Sequence, residues 1–567
     1  MKIPWILAAT LLYCLTAFAF FVAPVIGRFG SVLLGSTPFP HDALLNAGIL
    51  EWGFRAIWDP GLAIFDWPAG FPLKNTLAGT EHLLGWQPFY EPLRAAGLTV
   101  AASYNVVLLL SLVLSGIGTA IFARRLGASR AGSTLAGFLF AFNPIHVDHA
   151  IHLQTMTIAW SPFALLGLEM TLSGKGVRGP LLLAVSFLMT ALCGMYFAVF
   201  LPIVLVLYAS LSWVFGRHPF SWRAVRDIVI AGAVSAVVLV PVLIPYFRYA
   251  SSYGAYPHPE SELATYSLSL ASPFQVPPWL AVWGRTSLAT GKVGIAAFPG
   301  IVASLLAIVA IVSARKDREV RGVVLMALAI AVIAFTLALG PVLMLNGSGQ
   351  LGPPWFPLPG RLWAHFSAIR WPVRIFLYSA LFATVLAGIG FSRVQRSIGR
   401  TGAIFVIVVF LFASIELRPA GWYSLQSLHV SDPIEMSDAY PFLAAEQDRG
   451  GVVEIPQPTD SVYAPSSSTG HAYASAGHLR GVVAFHGSLF PPLLEAMRLA
   501  SYKLPDSAAR ELFVANGVTR LVIHKDMMPG DSGSTLEKAL VAEGYPLLLA
   551  TRNSSVFALD RRSTSPK

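Results

Sequence analysis

The sequence predicts a mainly α-helical, polytopic membrane protein with about 11 transmembrane helices and a small C-terminal extracytoplasmic α/β domain. Of its 567 residues, 55% are hydrophobic and only 12% are charged, whereas about a quarter of an ordinary soluble protein is charged. Apolar runs of 18 or more residues recur along the chain, and each is long enough to cross a hydrocarbon core of about 30 Å. The final part, from residue 418, is more polar and alternates strand-like with helix-like runs, which is typical of an α/β domain.

Eleven apolar segments account for the predicted spans. The first begins close behind Lys2, and its apolar stretch is too long for a signal peptide, so we expect it to be retained. One later run exceeds the length of a single span and is broken at Cys193-Gly194-Met195-Tyr196, which predicts two spans there. The predicted spans are 4–26, 98–122, 131–144, 155–173, 179–195, 197–216, 228–247, 294–313, 322–344, 372–391 and 401–417.

The basic residues orient these spans. Short loops rich in Lys and Arg face the cytoplasm, which places the N-terminus inside and the C-terminal domain outside the inner membrane. Topology therefore explains most of the formal charge of +10, and we expect no nucleic-acid partner. The basic residues that fall on one side are Lys2, Arg124, Arg125, Arg130, Lys175, Arg178, Arg217, Arg223, Arg226, Arg315, Lys316, Arg318, Arg321, Arg393, Arg396 and Arg400.

Two predicted domains follow from this division. Residues 1–417 form the transmembrane domain, in which residues 27–97 are the first outer loop. Residues 418–567 form the extracytoplasmic α/β domain, and its strand-like runs are 451–456, 520–524 and 555–559. Helix-like stretches fall between these runs, which favours a small mixed sheet with helices packed on it.

The first outer loop carries two acid/imidazole pairs, His41-Asp42 and Glu81-His82. A carboxylate beside an imidazole can accept a proton or ligate a divalent cation. Tryptophans spread through the same loop are typical of a membrane interface. The alternative is that Asp42 and Glu81 are solvated loop carboxylates or helix caps.

A second candidate group is a set of three histidines in the loop after the third predicted span, His146, His149 and His152. Their spacing of i, i+3 and i+6 would place them on one face of a helix. Imidazoles at an outer surface could contact a phosphate or a metal. The alternative is interfacial capping of a short helix.

A third group consists of arginines on the predicted outer side. Arg370 and Arg374 are four residues apart, so they share a face if a helix has already begun there, and Arg248 ends the seventh span. Arginine suits bidentate phosphate recognition, and the alternative is a snorkelling interfacial pair. The outer loop 249–293 adds Glu260, Glu262 and Tyr266, as a covering segment or as an ordinary long loop.

The chain resembles the GT-C class of integral-membrane glycosyltransferases, closest to bacterial relatives of the protein O-mannosyltransferase and lipid A aminoarabinose transferase type. The resemblance rests on the order of one span, a long outer loop that opens with an acid, many spans and an outer C-terminal domain. It also rests on residues 39–52, Glu81-His82-Leu83-Leu84-Gly85, residues 140–154 and residues 369–376.

The resemblance implies transfer of a sugar from a polyprenyl-phosphate carrier to a lipid or glycan acceptor at the extracytoplasmic face, by an inverting reaction. It assigns the catalytic base to Asp42 and a supporting role, including a tentative Mg²⁺ or Mn²⁺ site with Asp42, to Glu81. His41, in place of the second acid that many relatives carry, weakens the metal assignment. The substrate- and phosphate-binding candidates are His41, His82, His146, His149, His152, Arg248, Arg370 and Arg374.

Two other functions stay open on the sequence. A lipid or glycan transporter would place ionisable residues near the middle of its spans, and few are found there, Glu169 lying near a span end. A non-catalytic protein of envelope biogenesis would keep the same architecture and use its C-terminal domain for binding.

Overall fold

The computed structural model describes residues 4–35, 40–174, 176–254, 258–286, 295–345, 362–363, 365–366, 369–420, 428–457, 466–487 and 491–559. Lys2 and Lys175, which helped to orient the spans, and residues 36–39 at the start of the first loop lie outside these ranges.

The chain forms two compact units. The helical unit comprises Met1–Gly27, Val106–Val240 and Pro257–Ser427, and the mixed unit comprises Arg28–Asn105, Pro241–Tyr256 and Leu428–Lys567. The first outer loop and the C-terminal region therefore belong to the same unit. The domain boundary predicted between residues 417 and 418 stays a prediction.

Twenty α-helices and six strands are described in the two units. In chain order the helices are α1 (Trp5–Ala17), α2 (Pro40–Ala56), α3 (Gln87–Ala95), α4 (Val100–Arg125), α5 (Arg130–Ala141), α6 (Pro144–Asp148), α7 (Ser161–Leu172), α8 (Arg178–Cys193), α9 (Met195–Val214), α10 (Trp222–Tyr253), α11 (Glu260–Thr265), α12 (Ile301–Ser313), α13 (Arg318–Ala338), α14 (Phe376–Ser397), α15 (Gly402–Leu417), α16 (Tyr440–Ala445), α17 (Ser466–His478), α18 (Pro492–Ser501), α19 (Ser507–Ala515) and α20 (Ser532–Ala542). The strands are β1 (Val32–Leu33), β2 (Leu428–His429), β3 (Gly451–Ile455), β4 (Val518–His524), β5 (Leu547–Ala550) and β6 (Ser554–Ala558).

Within the described residues, six helical segments are long and apolar enough to cross a membrane, which makes the chain a multi-pass membrane protein. A helix lies in each of the 11 predicted ranges, but several of these helices are short: α5 and α7 have 12 residues each. The number of spans therefore stays a prediction, whereas the break predicted near Gly194 is confirmed, because α8 ends at Cys193 and α9 begins at Met195. The six segments are Trp5–Arg28, Val100–Arg125, Met195–Val214, Trp222–Tyr253, Val320–Ala338 and Pro372–Ser397.

Helix α14 is the centre of the helical unit and packs against α5, α12 and α13. Glycines make the close approach possible: a Cβ atom at Gly388 would lie 2.6 Å from the carbonyl oxygen of Gly132. Small residues let apolar helices bring their backbones together where van der Waals packing drives association. This packing buries most of α14.

The mixed unit contains a four-stranded sheet in the order β3-β4-β6-β5. β3 pairs with β4 in parallel, and the β4–β6 and β6–β5 pairs are antiparallel. The short strands β1 and β2 pair antiparallel and join the start of the first loop to the C-terminal region. Helix α2 packs on α17 at Gly48, where a Cβ atom would lie 3.1 Å from the Cα of Tyr473.

Candidate functional site

Asp42 lies in the first turn of α2, the helix that opens the first outer loop. The helix begins at Pro40, whose fixed φ angle suits a first helical position, and the N-terminal end of a helix stabilises a negative charge. The Asp42 side chain is 24% exposed, so its carboxylate is partly buried and still reachable. This position suits a group that takes a proton from a bound molecule.

The carboxylate of Asp42 faces a histidine from the C-terminal region. Its Oδ1 lies 3.8 Å from Nε2 of His486, which is too long for a direct hydrogen bond but close enough for an electrostatic interaction. The His486 side chain is only 15% exposed. Asp42 also interacts electrostatically with Tyr104 in the same unit.

The segment around His486 packs on the part of the first loop that immediately precedes Glu81 and His82. A Cβ atom at Gly487 would lie 2.5 Å from the carbonyl oxygen of Gly79, two residues before Glu81. The ring of Phe485 also packs at Gly79. Residues 485–487 therefore connect the surroundings of Asp42 with the Glu81 segment.

Glu81 and His82 are both buried, at 6% and 1% exposure. Nδ1 of His82 lies 2.8 Å from the hydroxyl of Tyr246, and the His82, Phe65 and Tyr246 rings pack together with centroids 5.8–6.0 Å apart. Glu81 interacts electrostatically with the same Tyr246. The pair is thus held inside the mixed unit.

Two other predicted binding residues of the mixed unit have different surroundings. Burial lowers the pKa of His41, and the charge of Asp42 opposes this without reversing it. His41 is therefore a neutral imidazole near pH 7. Arg248 of α10 is exposed.

A buried ion pair fixes the helix that carries Asp42. Arg94 of α3 donates from Nε and Nη2 to the two oxygens of Glu51 at 2.8 and 3.1 Å, and the hydroxyl of Tyr90 donates to Glu51 at 3.0 Å. Glu51 is fully buried. Such bidentate contacts are strong and geometrically specific, so they define how α2 sits on α3.

The helical unit contains a second cluster, built around the two arginines near α14. Arg374 is buried, with its guanidinium carbon 4.2 Å from the centroid of the Tyr196 ring and 5.3 Å from that of Trp371. The Trp371 ring in turn lies 5.6 Å from the ring of His152 and 6.3 Å from that of His149. The predicted histidines and Arg374 therefore converge.

Arg370 belongs to the same cluster through different contacts. Its Nε lies 2.7 Å from Glu262, and its Nη2 donates to the Tyr266 hydroxyl at 3.0 Å. The Tyr266 ring stacks on Trp371 with centroids 4.1 Å apart. His258 lies 2.9 Å from the same Glu262.

Neither group lies along one helix. Trp371 has φ −116° and ψ 83°, because a residue before proline is disfavoured in the α conformation, and helical backbone begins only at Pro372, as a 3-10 turn (Pro372–Ile375) that leads into α14. Arg370 and Arg374 therefore do not share a helix face. Likewise α6 ends at Asp148, and His152 has φ −111° and ψ 90°, so the three histidines do not follow one helix.

His146 and His149 are neutral hydrogen-bond donors to the backbone. The Nδ1 atoms lie 3.0 Å from the carbonyl oxygen of Phe140 and 2.9 Å from that of Ile145, respectively. Burial lowers the pKa of His146 to about 4, and burial together with the charge of Arg374 lowers the pKa of His149 to about 3. Each Nε2 is then an acceptor, which suits a hydroxyl and not a phosphate oxygen.

Four residues that contact the predicted site residues were not themselves predicted as site residues: Tyr196, Glu262, Trp371 and His486. Their positions depend on packing between distant segments. The only local signal was the run of aromatic and acidic residues in the loop 249–293, which supplies Glu262.

The tentative metal site was predicted at Asp42 and Glu81, and it stays a prediction. No described His, Cys, Asp or Glu joins Asp42 and Glu81 in a group of three whose ligand atoms lie within 4.8 Å of one another. We therefore derive no chemical step through a metal at these two residues.

The model of a family described as "Domain of unknown function (DUF6311)" matches residues 91–415, more than half of the chain. No curated protein matches the sequence.

Solved structures share the fold. The mycobacterial arabinofuranosyltransferase AftD is similar with a TM-score of 0.57 and 15% identity over 98% of this chain, which spans 40% of the length of AftD. The oligosaccharyltransferase of Archaeoglobus fulgidus is similar with a TM-score of 0.50 and 12% identity, covering 99% of this chain and 75% of that one. The resemblance to GT-C glycosyltransferases is confirmed as a likeness of fold.

Proposed function

This chain belongs to the DUF6311 family, and we propose that it is an integral-membrane glycosyltransferase that moves a sugar from a polyprenyl-phosphate carrier to a lipid or glycan acceptor at the extracytoplasmic face of the inner membrane. The observation that carries the proposal is the position of Asp42, a partly buried carboxylate at the start of the first-loop helix and beside His486. The likeness of fold to membrane glycosyltransferases supports it.

Asp42 takes the role of general base. Its carboxylate accepts the proton of the acceptor hydroxyl while the hydroxyl oxygen attacks the anomeric carbon, and the bond from that carbon to the phosphate breaks. The phosphate departs with the bonding electrons and needs little acid assistance. A single displacement of this kind inverts the configuration at the anomeric carbon.

The arginine cluster of the helical unit is assigned to the carrier phosphate. Arg374 provides positive charge beside Tyr196 and Trp371, and Arg370, paired with Glu262, lies over Tyr266. Guanidinium groups match phosphate oxygens in pairs, and an aromatic wall suits the border between headgroup and lipid. Nε2 of His149 is a hydrogen-bond acceptor, so it can accept a hydrogen bond from a hydroxyl of the sugar.

The identity of the reaction is tested in cells with and without the protein. Mass spectrometry of envelope glycans and glycolipids is expected to show one sugar missing from an acceptor, and a sugar-linked polyprenyl phosphate accumulating, when the protein is absent. Cells that produce only Asp42→Asn should show the same two changes. Glycans and lipid-linked sugars identical to those of the wild type would overturn the proposal and favour a transporter or an assembly role.

A further inference from the structure

A buried group of ligand-type side chains lies in the mixed unit, outside the candidate site. Glu454 of β3, His524 of β4 and His471 of α17 meet with their ligand atoms within 4.8 Å of one another. Oε2 of Glu454 lies 2.8 Å from Nδ1 of His471 and 2.7 Å from Nε2 of His524. The two rings are stacked with centroids 5.1 Å apart.

The outer nitrogen of each imidazole already has an oxygen partner. Nε2 of His471 lies 3.1 Å from the carbonyl oxygen of Pro456, and Nδ1 of His524 lies 3.3 Å from the hydroxyl of Ser437. A metal-bound histidine usually donates its second N–H to an oxygen, which fixes the ring and its tautomer. These partners would leave the inner nitrogens with lone pairs directed toward one point.

Glu454 has the complementary feature. Its Oε1 is buried and makes no hydrogen bond to any described residue, while Oε2 also accepts a hydrogen bond from Tyr440 at 2.8 Å. An unsatisfied buried carboxylate oxygen costs free energy unless a cation or a donor compensates it. A cation held by both carboxylate oxygens would satisfy Oε1.

A cavity borders the two imidazoles of the group. It has a volume of about 190 Å³ and is lined by His471 and His524 together with the acidic residues Glu435, Asp438 and Asp526. The volume is enough for several water molecules. Each imidazole therefore faces the protein interior on one side and the polar cavity on the other.

We propose that Glu454, His471 and His524 form a three-ligand site for a divalent transition metal of the Zn²⁺ type, with a further coordination position directed to the cavity. Two imidazoles with one carboxylate suit Zn²⁺ and its neighbours, whereas Mg²⁺ and Ca²⁺ prefer oxygen ligands. Three protein ligands plus an open position are the arrangement of zinc sites that bind water or substrate.

The alternative is a hydrogen-bonded ion pair without a metal. Ligand bonds of about 2.0–2.1 Å at tetrahedral angles place the ligand atoms about 3.3 Å apart. The two imidazole nitrogens lie 2.7 and 2.8 Å from Oε2 of Glu454. Metal binding therefore requires the side chains to separate by about half an ångström. Small rotations of the three side chains can provide this.

Cobalt titration of the full-length protein in detergent, after treatment with EDTA, distinguishes the metal site from the metal-free ion pair. We expect one Co²⁺ per chain with visible absorption bands of a four- or five-coordinate site, which Zn²⁺ abolishes and Mg²⁺ does not. His471→Gln and His524→Gln should each weaken binding more than 100-fold, since loss of an outer partner alone commonly costs 10- to 100-fold. His478→Gln is the matched control, because His478 is buried in the same helix and is not a ligand.

The result does not depend on the proposed transferase activity. Asp42→Asn should keep the cobalt spectrum unchanged, so failure of one proposal is separable from failure of the other. Absence of Co²⁺ bands in the wild-type protein, or binding that His471→Gln and His524→Gln leave unchanged, would overturn the metal site and support the ion pair. If the variants do not fold, X-ray absorption of the zinc-loaded wild type decides: a shell without imidazole scattering contradicts the proposal.

Discussion

Oδ1 of Asp42 lies 3.8 Å from Nε2 of His486, although 444 positions separate the two residues in the sequence. The contact pairs the first-loop carboxylate with an imidazole from the C-terminal part of the mixed unit. It indicates that this C-terminal part contributes directly to the surroundings of the proposed base.

Asp42→Asn should reduce the rate of sugar transfer by 10²- to 10⁴-fold, because a general base contributes about that much. The amide keeps the shape of the side chain but accepts no proton. His486→Gln should reduce the rate less, since it acts through Asp42. Transfer from a polyprenyl-phosphate sugar is measured with purified protein.

Asp59→Asn is the matched control for that substitution. Asp59 is an exposed acid of the same loop, and its Oδ1 accepts a hydrogen bond from the backbone of Gly61 at 2.8 Å. Its variant should keep the wild-type rate. Equal rates for Asp42→Asn and Asp59→Asn would remove Asp42 from the role of base.

Arg374→Lys should raise the KM for the lipid-linked donor about tenfold with a smaller effect on kcat. Lysine keeps the charge but loses the planar group that lies over Tyr196 and pairs with phosphate oxygens. Steady-state kinetics against donor concentration measure the change. Arg226→Lys is the control, because Arg226 is exposed and paired with Asp227 at 2.8 Å, and it is expected to behave as the wild type. The same KM in both variants would contradict the assignment of Arg374 to the carrier phosphate.

Glu51→Gln should destabilise the mixed unit by about 3–5 kcal/mol, because it removes the bidentate partner of a largely buried arginine, which keeps only a longer contact to Asp432 at 3.5 Å. Arg94 and Tyr90 would lose the carboxylate that both contact at 2.8–3.1 Å. Denaturant unfolding in detergent measures the loss. Glu91→Gln, in the same helix as Arg94 and bonded to Trp58 at the surface, should change the free energy of unfolding by less than about 1 kcal/mol.

Chelation tests the predicted Mg²⁺ or Mn²⁺ at Asp42 and Glu81. If the two carboxylates hold the cation, EDTA should abolish transfer, added Mg²⁺ or Mn²⁺ should restore it, and Glu81→Gln should raise the concentration required. Glu91→Gln should leave that concentration unchanged. Full activity in EDTA would exclude a catalytic cation at this pair.

Local sequence predicted the positions of many elements well, because their causes are local. Apolar runs placed a helix in every predicted range, whereas the role assigned to Asp42 stays a prediction. The condition for a shared face of Arg370 and Arg374 is not met, because the helical segment begins at Pro372 and Arg370 precedes it. His486 could not be predicted, since its position depends on the packing of Gly487 against Gly79, and no local pattern reports a contact between such distant segments.

The same distinction applies to the histidines. Their spacing was visible in the sequence, but their chemistry depends on burial: Nδ1 of His146 and of His149 is engaged by a backbone carbonyl, and both imidazoles are neutral at pH 7. A pattern of residue types could not show whether these groups donate or accept. The structure favours acceptance through Nε2.

The low pKa of His149 predicts a loss of stability in acid. In the unfolded chain the pKa is about 6.5, whereas in the folded protein it is about 3, so the unfolded state binds more protons between these values and stability falls as the pH falls below about 6.5. His149→Asn keeps a donor near the Ile145 carbonyl. The Tm of this variant should fall less steeply between pH 7 and pH 4 than the Tm of the wild type. Thermal unfolding of the full-length protein in detergent measures the slope, with His429→Asn as the control because His429 is exposed. Equal slopes for wild type and His149→Asn would mean that folding does not lower the pKa of His149, which would contradict its assignment as an imidazole held neutral by burial.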